Sequence, residues 1–349
     1  MNIKYVVLFF LLNSFGVFAQ VNIGKSKSPL NLYVSAHKQE TFDKLKNIET
    51  IFVVPNSVLD KEKLKEAIKE VWTFNKITFV EEELSDEEPK KYDPLNSIKQ
   101  YILPNKMVIW LVDNVYSKQK FGGIGGPNIR TVGAYISFKF KAVIFENIKK
   151  NKKGKLKYDN VTIAEIFFTP NIRLRQDVSH SVGGKMKFGS LDKINEKYGE
   201  EPGLYNFNLG YVKNYFQELN QRLSNSQNLK IEDGIKKIKK LKELKRKTLF
   251  VPKWSLMKYK AMAATYGKTR TAEELFGKYG HKYEILSNAE INSKIMNGDD
   301  FYYLMHTQFN QKRIISIIHS TTGEIIYLDE KGSYNINDSD MKVLGKLIN

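Results

Sequence analysis

Asp177, Ser179, His180 and Ser181 crowd a carboxylate, an imidazole and two hydroxyls into five residues, with Gly183, Gly184 and Lys185 following. Those are the types a hydrolase needs: a nucleophile, a general base and an acid that orients the base. A catalytic triad is assembled in space from separate elements, and neighbours within one segment rarely aim at one another. Asp177, Ser179 and His180 therefore become catalytic only if a distant partner reaches them. No G-x-S-x-G nucleophile elbow surrounds them. The Gly-Gly-Lys lacks the leading Gly and trailing Ser or Thr of a phosphate loop.

The other chemistry-bearing residues point away from a cofactor. His37, His180, His281, His306 and His319 show no H-x-x-x-H or other close ligand spacing, and the chain has no cysteine, so no metal or cofactor is expected. The run Glu81, Glu82, Glu83, Asp86, Glu87 and Glu88 lacks the alternating ligands and glycine of a calcium loop. The glycine-rich Phe121–Pro127 is followed by residues that read as strand, so no helix N-terminus is available there for a phosphate.

Charge offers a different chemistry. The formal net charge is +18, and only seven of the 56 basic residues are arginine. Planar, bidentate phosphate recognition prefers arginine, so nucleic acid is not the expected partner. A lysine surface suits anionic envelope polymers or a lipid surface better. Two segments concentrate it. Lys152, Lys153 and Lys155 flank Gly154 in an expected hairpin tip. From Ile235 to Lys247, Lys236, Lys237, Lys239, Lys240, Lys242, Lys245 and Arg246 surround the apolar stripe Ile231, Ile235, Ile238, Leu241 and Leu244. That spacing predicts a basic amphipathic helix, kinked near Gly234.

Elements must hold these residues, and the first decision is where the mature chain starts. Lys4 precedes an apolar run from Tyr5 to Leu12, and Val17 and Ala19 stand at the −3 and −1 positions of a small-residue cleavage site. This is the layout of a secretory signal peptide over residues 1–19, so the chain is expected to be exported, to the periplasm or beyond the cell. An exported chain without cysteine has no disulfides and depends on its core. No further apolar run is long enough to span a bilayer as a helix.

Two stretches resemble each other. Leu45–Pro55 reads LKNIETIFVVP and Leu244–Pro252 reads LKRKTLFVP: a charged lead, a threonine, a short β-branched and aromatic run, then proline. After the first come a helix capped by Asp60, a strand near Lys76–Val80, a helix near Leu95–Tyr101, a strand over Met107–Val112 and further strand to Phe145. After the second come a helix capped by Thr271, a strand Tyr283–Leu286, a helix capped by Ser287 with Glu290 closing a capping box, a hairpin, a last strand and a closing helix. Both halves read β-α-β-α-β-β. The expected fold class is α/β with mixed sheets: two related lobes, 45–146 and 244–349, a lead over 20–44, and a partly helical middle region over 147–243.

The TIFVVP and TLFVP strands and this element order resemble the small α/β lobe at the amino terminus of TolB and the related lobe of the curli-secretion lipoprotein. The resemblance implies a protein that works by protein contact in the bacterial envelope. It carries over no functional residue. The expected function is a non-enzymatic interaction module with an envelope protein partner. An exported hydrolase using Asp177, Ser179 and His180, and a binder of anionic polymers or lipid through the lysine segments, are the alternatives.

Overall fold

The computed structural model describes residues 20–26, 34–56, 58, 60–82, 96–121, 129–152, 154, 156–172, 174, 203–260, 265–309 and 312–349. The expected signal peptide over 1–19, the glycine-rich residues 122–127, the acidic residues beyond Glu82, Lys153, Lys155, and the Asp177–Lys185 segment lie outside them.

Two six-stranded mixed sheets carry the fold. The first is built from β1 (Val21–Ile23), β4 (Glu49–Val54), β5 (Ile77–Glu81), β6 (Lys106–Phe121), β7 (Ile129–Lys150) and β8 (Leu156–Phe168). Its order is β1-β8-β7-β6-β4-β5. The second is built from β9 (Ile235–Lys236), β10 (Leu249–Pro252), β13 (Tyr283–Leu286), β14 (Tyr302–Phe309), β15 (Lys312–His319) and β16 (Ile325–Lys331), in the order β9-β16-β15-β14-β10-β13. Position for position the pairings agree. β4 is parallel to β5 and β6, as β10 is to β13 and β14; every other pairing in both sheets is antiparallel. Two small ribbons, β2 (Lys25–Ser26) with β3 (Val34–Ser35) and β11 (Tyr259–Lys260) with β12 (Thr265–Tyr266), lie outside the sheets.

The helices repeat as well. α1 (Gln39–Lys46) leads into β4, α2 (Lys61–Val71) follows it, a 3-10 turn (Asn96–Tyr101) leads into β6, and α3 (Leu209–Ser224) closes the unit. In the second unit α4 (Ile238–Leu241) precedes β10, α5 (Ala272–Phe276) follows it, α6 (Asn288–Met296) leads into β14, and α7 (Asp338–Ile348) closes it. Two matching sheets with matching helices point to an internal duplication. Each unit reaches further than the strand-and-proline signature: the edge strand β1 comes from residues before Leu45, and β8 and α3 from the middle region.

The units stack on α3. Side chains alternate along a strand, so Phe52 and Val54 face one way and Ile51 and Val53 the other. Phe52 packs with Phe140 and with Phe216 of α3, at ring separations of 5.3 and 5.6 Å. From the opposite side of α3, Tyr211 stacks on Tyr303 of β14 at 5.5 Å, and Tyr303 donates from its hydroxyl to Asn214 at 2.9 Å. Val212, Phe216, Leu219 and Leu223 give the expected apolar stripe, and the contacts with the second unit bury Tyr211 and Asn214 too. The other face of the second sheet has its own core, in which Leu249, Val251, Leu275 and Phe276 meet Met341, Leu344 and Ile348 of α7.

The basic helix expected over Ile235–Lys247 is not one helix. Gly234 takes φ +70°, Ile235–Lys236 is the edge strand β9, and α4 runs only from Ile238 to Leu241 before a 3-10 turn, Lys242–Lys245. The apolar residues were read as one stripe but serve different cores: Ile231 and Ile235 enter the core around α3, and Leu241 and Leu244 the core under α7. Ile238 remains 39% exposed.

Candidate functional site

The feature that most departs from a closed, self-satisfied fold is the hairpin of β6 and β7. The last pair between β4 and β6 is Phe52 with Ile109, and the last between β7 and β8 is Phe138 with Phe168. β6 and β7 stay paired beyond both, from Asn114–Ser137 to Phe121–Ile129, with one irregularity at Lys118/Gln119. At about 3.3 Å per residue this is an arm roughly 25 Å long. Among the described residues no third strand accompanies it. The sequence signalled the base of the arm in the apolar Met107–Val112. It did not signal Asp113–Phe121, where lysine, glutamine, serine and asparagine interrupt the β-prone residues.

At the seam of the units, rings of three elements stack. Tyr205 lies 4.8 Å from Trp254, interplanar angle 7°, and Trp254 lies 5.0 Å from His306, angle 10°. Trp254 stands in the 3-10 turn Lys253–Leu256 just past the carboxyl end of β10, and His306 lies on β14 opposite Ile315. Pro170, Ile172, Met257, Tyr259 and Gln308 complete a notch there. Its free volume is about 10 Å³, one water rather than a substrate. A wider groove of about 560 Å³ runs past Lys44, Ile48, Pro104, Lys106 and Phe145. It lies at the amino ends of β4 and β6, the end opposite to where α/β sheets hold ligands.

A histidine cluster that the sequence did not signal sits on the second unit. Asp300 meets His319 Nε2 at 2.6 Å, while His319 Nδ1 lies 3.0 Å from the Thr322 hydroxyl and 3.3 Å from that of Thr321. The order acid, imidazole, hydroxyl resembles that of a triad. Here two hydroxyls share one nitrogen in the turn after β15, and Lys247 also pairs with Asp300 at 2.8 Å. Lys247 and, secondarily, the bond from His319 hold the Asp300 carboxyl below its usual range. The cluster ties the turn to β14 and to the chain before β10.

The remaining charges are largely structural. Lys139 and Glu165 form an ion pair of 2.7 Å in the first sheet, each 1% exposed. Lys141, opposite Glu165 in register, has its ammonium pushed below the usual lysine range by burial. On α3, burial raises the Glu218 carboxyl although Arg222 bonds to it at 2.8 Å. Of the expected lysine surface, Lys237 and Lys240 both pair with Glu324, and Lys245 donates to the Asn349 carbonyl at 3.0 Å. Lys236, Lys239, Lys242 and Arg246 are exposed. Lys152 is exposed beside Gly154 (φ +74°) in the hairpin tip of β7 and β8, on the other unit. Glu81 is engaged by Lys61 and Lys65 of α2 rather than by the basic segment. Among the described residues no three His, Asp or Glu side chains group as metal ligands, and no helix is long and apolar enough to cross a membrane.

No protein-family model, curated sequence or solved structure matches this chain.

Proposed function

We propose that this protein is an exported, non-enzymatic interaction module of the cell envelope, and that the β6–β7 arm is the element that grips its protein partner. The arm carries the proposal. A two-stranded ribbon is marginally stable alone in water and needs a third strand or a packed face. Its outer edges present backbone donors and acceptors that a partner strand can pair with. The ladder runs from Asn114 opposite Ser137 to Phe121 opposite Ile129. The duplicated units, locked on α3, provide a rigid base. Export rests on the leader sequence, and the resemblance to envelope lobes points the same way.

The test replaces residues 115–136 by Asn-Gly, a two-residue turn that closes Asn114 onto Ser137. Tagged full-length and shortened chains are purified from the native envelope at low and at high salt, and bound proteins are identified by mass spectrometry. A stoichiometric protein that survives high salt on the full chain and is missing from the shortened one is the expected result. No partner at either salt, or the same partner on both chains, overturns the proposal.

A further inference from the structure

We propose that the flank formed by α4, its following 3-10 turn and α7 docks on an anionic lipid surface. These elements pack directly on one another, Leu241 and Leu244 sharing a core with Met341, Leu344 and Ile348. Outward they present Lys239, Lys242, Arg246, Lys342 and Lys346, all exposed and, among the described residues, without an ion pair. The acids of these elements have cations of their own: Glu243 lies 3.9 Å from Lys247, Asp338 pairs with Lys278, and Asp340 with Arg313 and Lys331. The flank is thus a concentrated positive field.

Two further observations choose the occupant. Four of the five cations are lysines, compact charges suited to a fluid layer of headgroups rather than to fixed, fork-like recognition of one phosphate. Ile238 on α4 and Val343 on α7, at 39% and 43% exposure, stand beside Lys239 and Lys342 in sequence. Aliphatic side chains among lysines gain from dipping below the headgroups, and gain nothing from a soluble polyanion.

The experiment uses the full chain and vesicles of phosphatidylcholine with or without phosphatidylglycerol, read by co-sedimentation. The chain binds the anionic vesicles at low salt, is released at high salt, and ignores the neutral ones. Replacing Lys239, Lys242, Lys342 and Lys346 by Gln weakens binding by about fivefold per lysine removed. Ile238→Ser with Val343→Ser weakens vesicle binding and leaves binding to heparin unchanged. Lys152→Gln, on the other unit, binds as the parent does, and circular dichroism verifies that each variant is folded. Equal binding to both vesicle types, or a four-lysine variant that binds undiminished, overturns the proposal. Loss of heparin and vesicle binding in parallel, with the serine pair without effect, assigns the flank to a soluble polyanion instead.

Discussion

Gly323 lies so close over the backbone of Asn214 that a β-carbon on it would overlap the Asn214 carbonyl oxygen. The glycine belongs to the turn between β15 and β16 of the second unit, and Asn214 to α3 of the first. Asn214 also donates to the Ser320 carbonyl at 2.7 Å and accepts from Tyr303. One helical turn of the first unit is thereby clamped by a turn and a strand of the second.

Gly323→Ala is the sharpest probe of that clamp. Gly323 has φ +67°, which a β-carbon disfavours, and the added methyl also needs the two units to part. The expected loss is about 2–4 kcal/mol, more than the left-handed backbone alone costs. Urea unfolding measures it. A loss below about 1 kcal/mol would show that the turn gives way and that the clamp is not tight.

The ion pair under α7 gives a second prediction. Asp340, 2% exposed, pairs with Arg313, itself 2% exposed, and with Lys331 at 2.8 Å, and it closes the capping box with Asn337. Asp340→Ala leaves a buried guanidinium without its carboxylate and should cost about 3–5 kcal/mol. Pairing it with Arg313→Met should recover much of that loss, because the uncompensated charge goes with it. Denaturation of both variants tests the order.

Glu49 sets a pH dependence. Bonds from Lys106 and from Thr78 hold its carboxyl at about 2, well under the usual glutamate value. A depressed acid contributes its stability above the unfolded pKa and loses it as pH falls through the folded one. The gap between parent and Glu49→Gln should therefore be full near neutrality and shrink from about pH 4.3 down to about pH 2. With solvent screening the full gap is about 1–2 kcal/mol. A gap that stays constant across that range contradicts the assignment.

The parts of the fold legible in the sequence were those whose signals are local. Ser287 with Glu290 forms the expected capping box and Thr271 caps its helix as expected, closing a box with Glu274 as well, because cap and partner lie within one turn. The hairpin expected after Ser287 is β14 with β15, which sets His306 opposite Ile315. The expected closing helix is α7, capped by Asn337. What escaped depends on distant chain. β1 and β9 are edge strands of two or three residues, defined only by partners at Ala164–Ile166 and Tyr327–Leu328. The stripe from Ile231 to Leu244 has helical spacing, yet Gly234 turns the chain and splits the stripe between two cores. The candidate contact surfaces were harder still. The polar residues of Asp113–Phe121 hide a strand, and the flank that gathers Lys239, Lys242, Lys342 and Lys346 joins residues a hundred positions apart.

α3 and α7 hold equivalent places, but only α3 is enclosed on both sides. Its contacts toward the second unit include Gly210, Tyr211, Asn214 and Gln217, all uncharged. The outward positions of α7 are Lys342, Val343 and Lys346. One closing helix thus joins the two units, while its counterpart in the second unit turns ammonium groups outward.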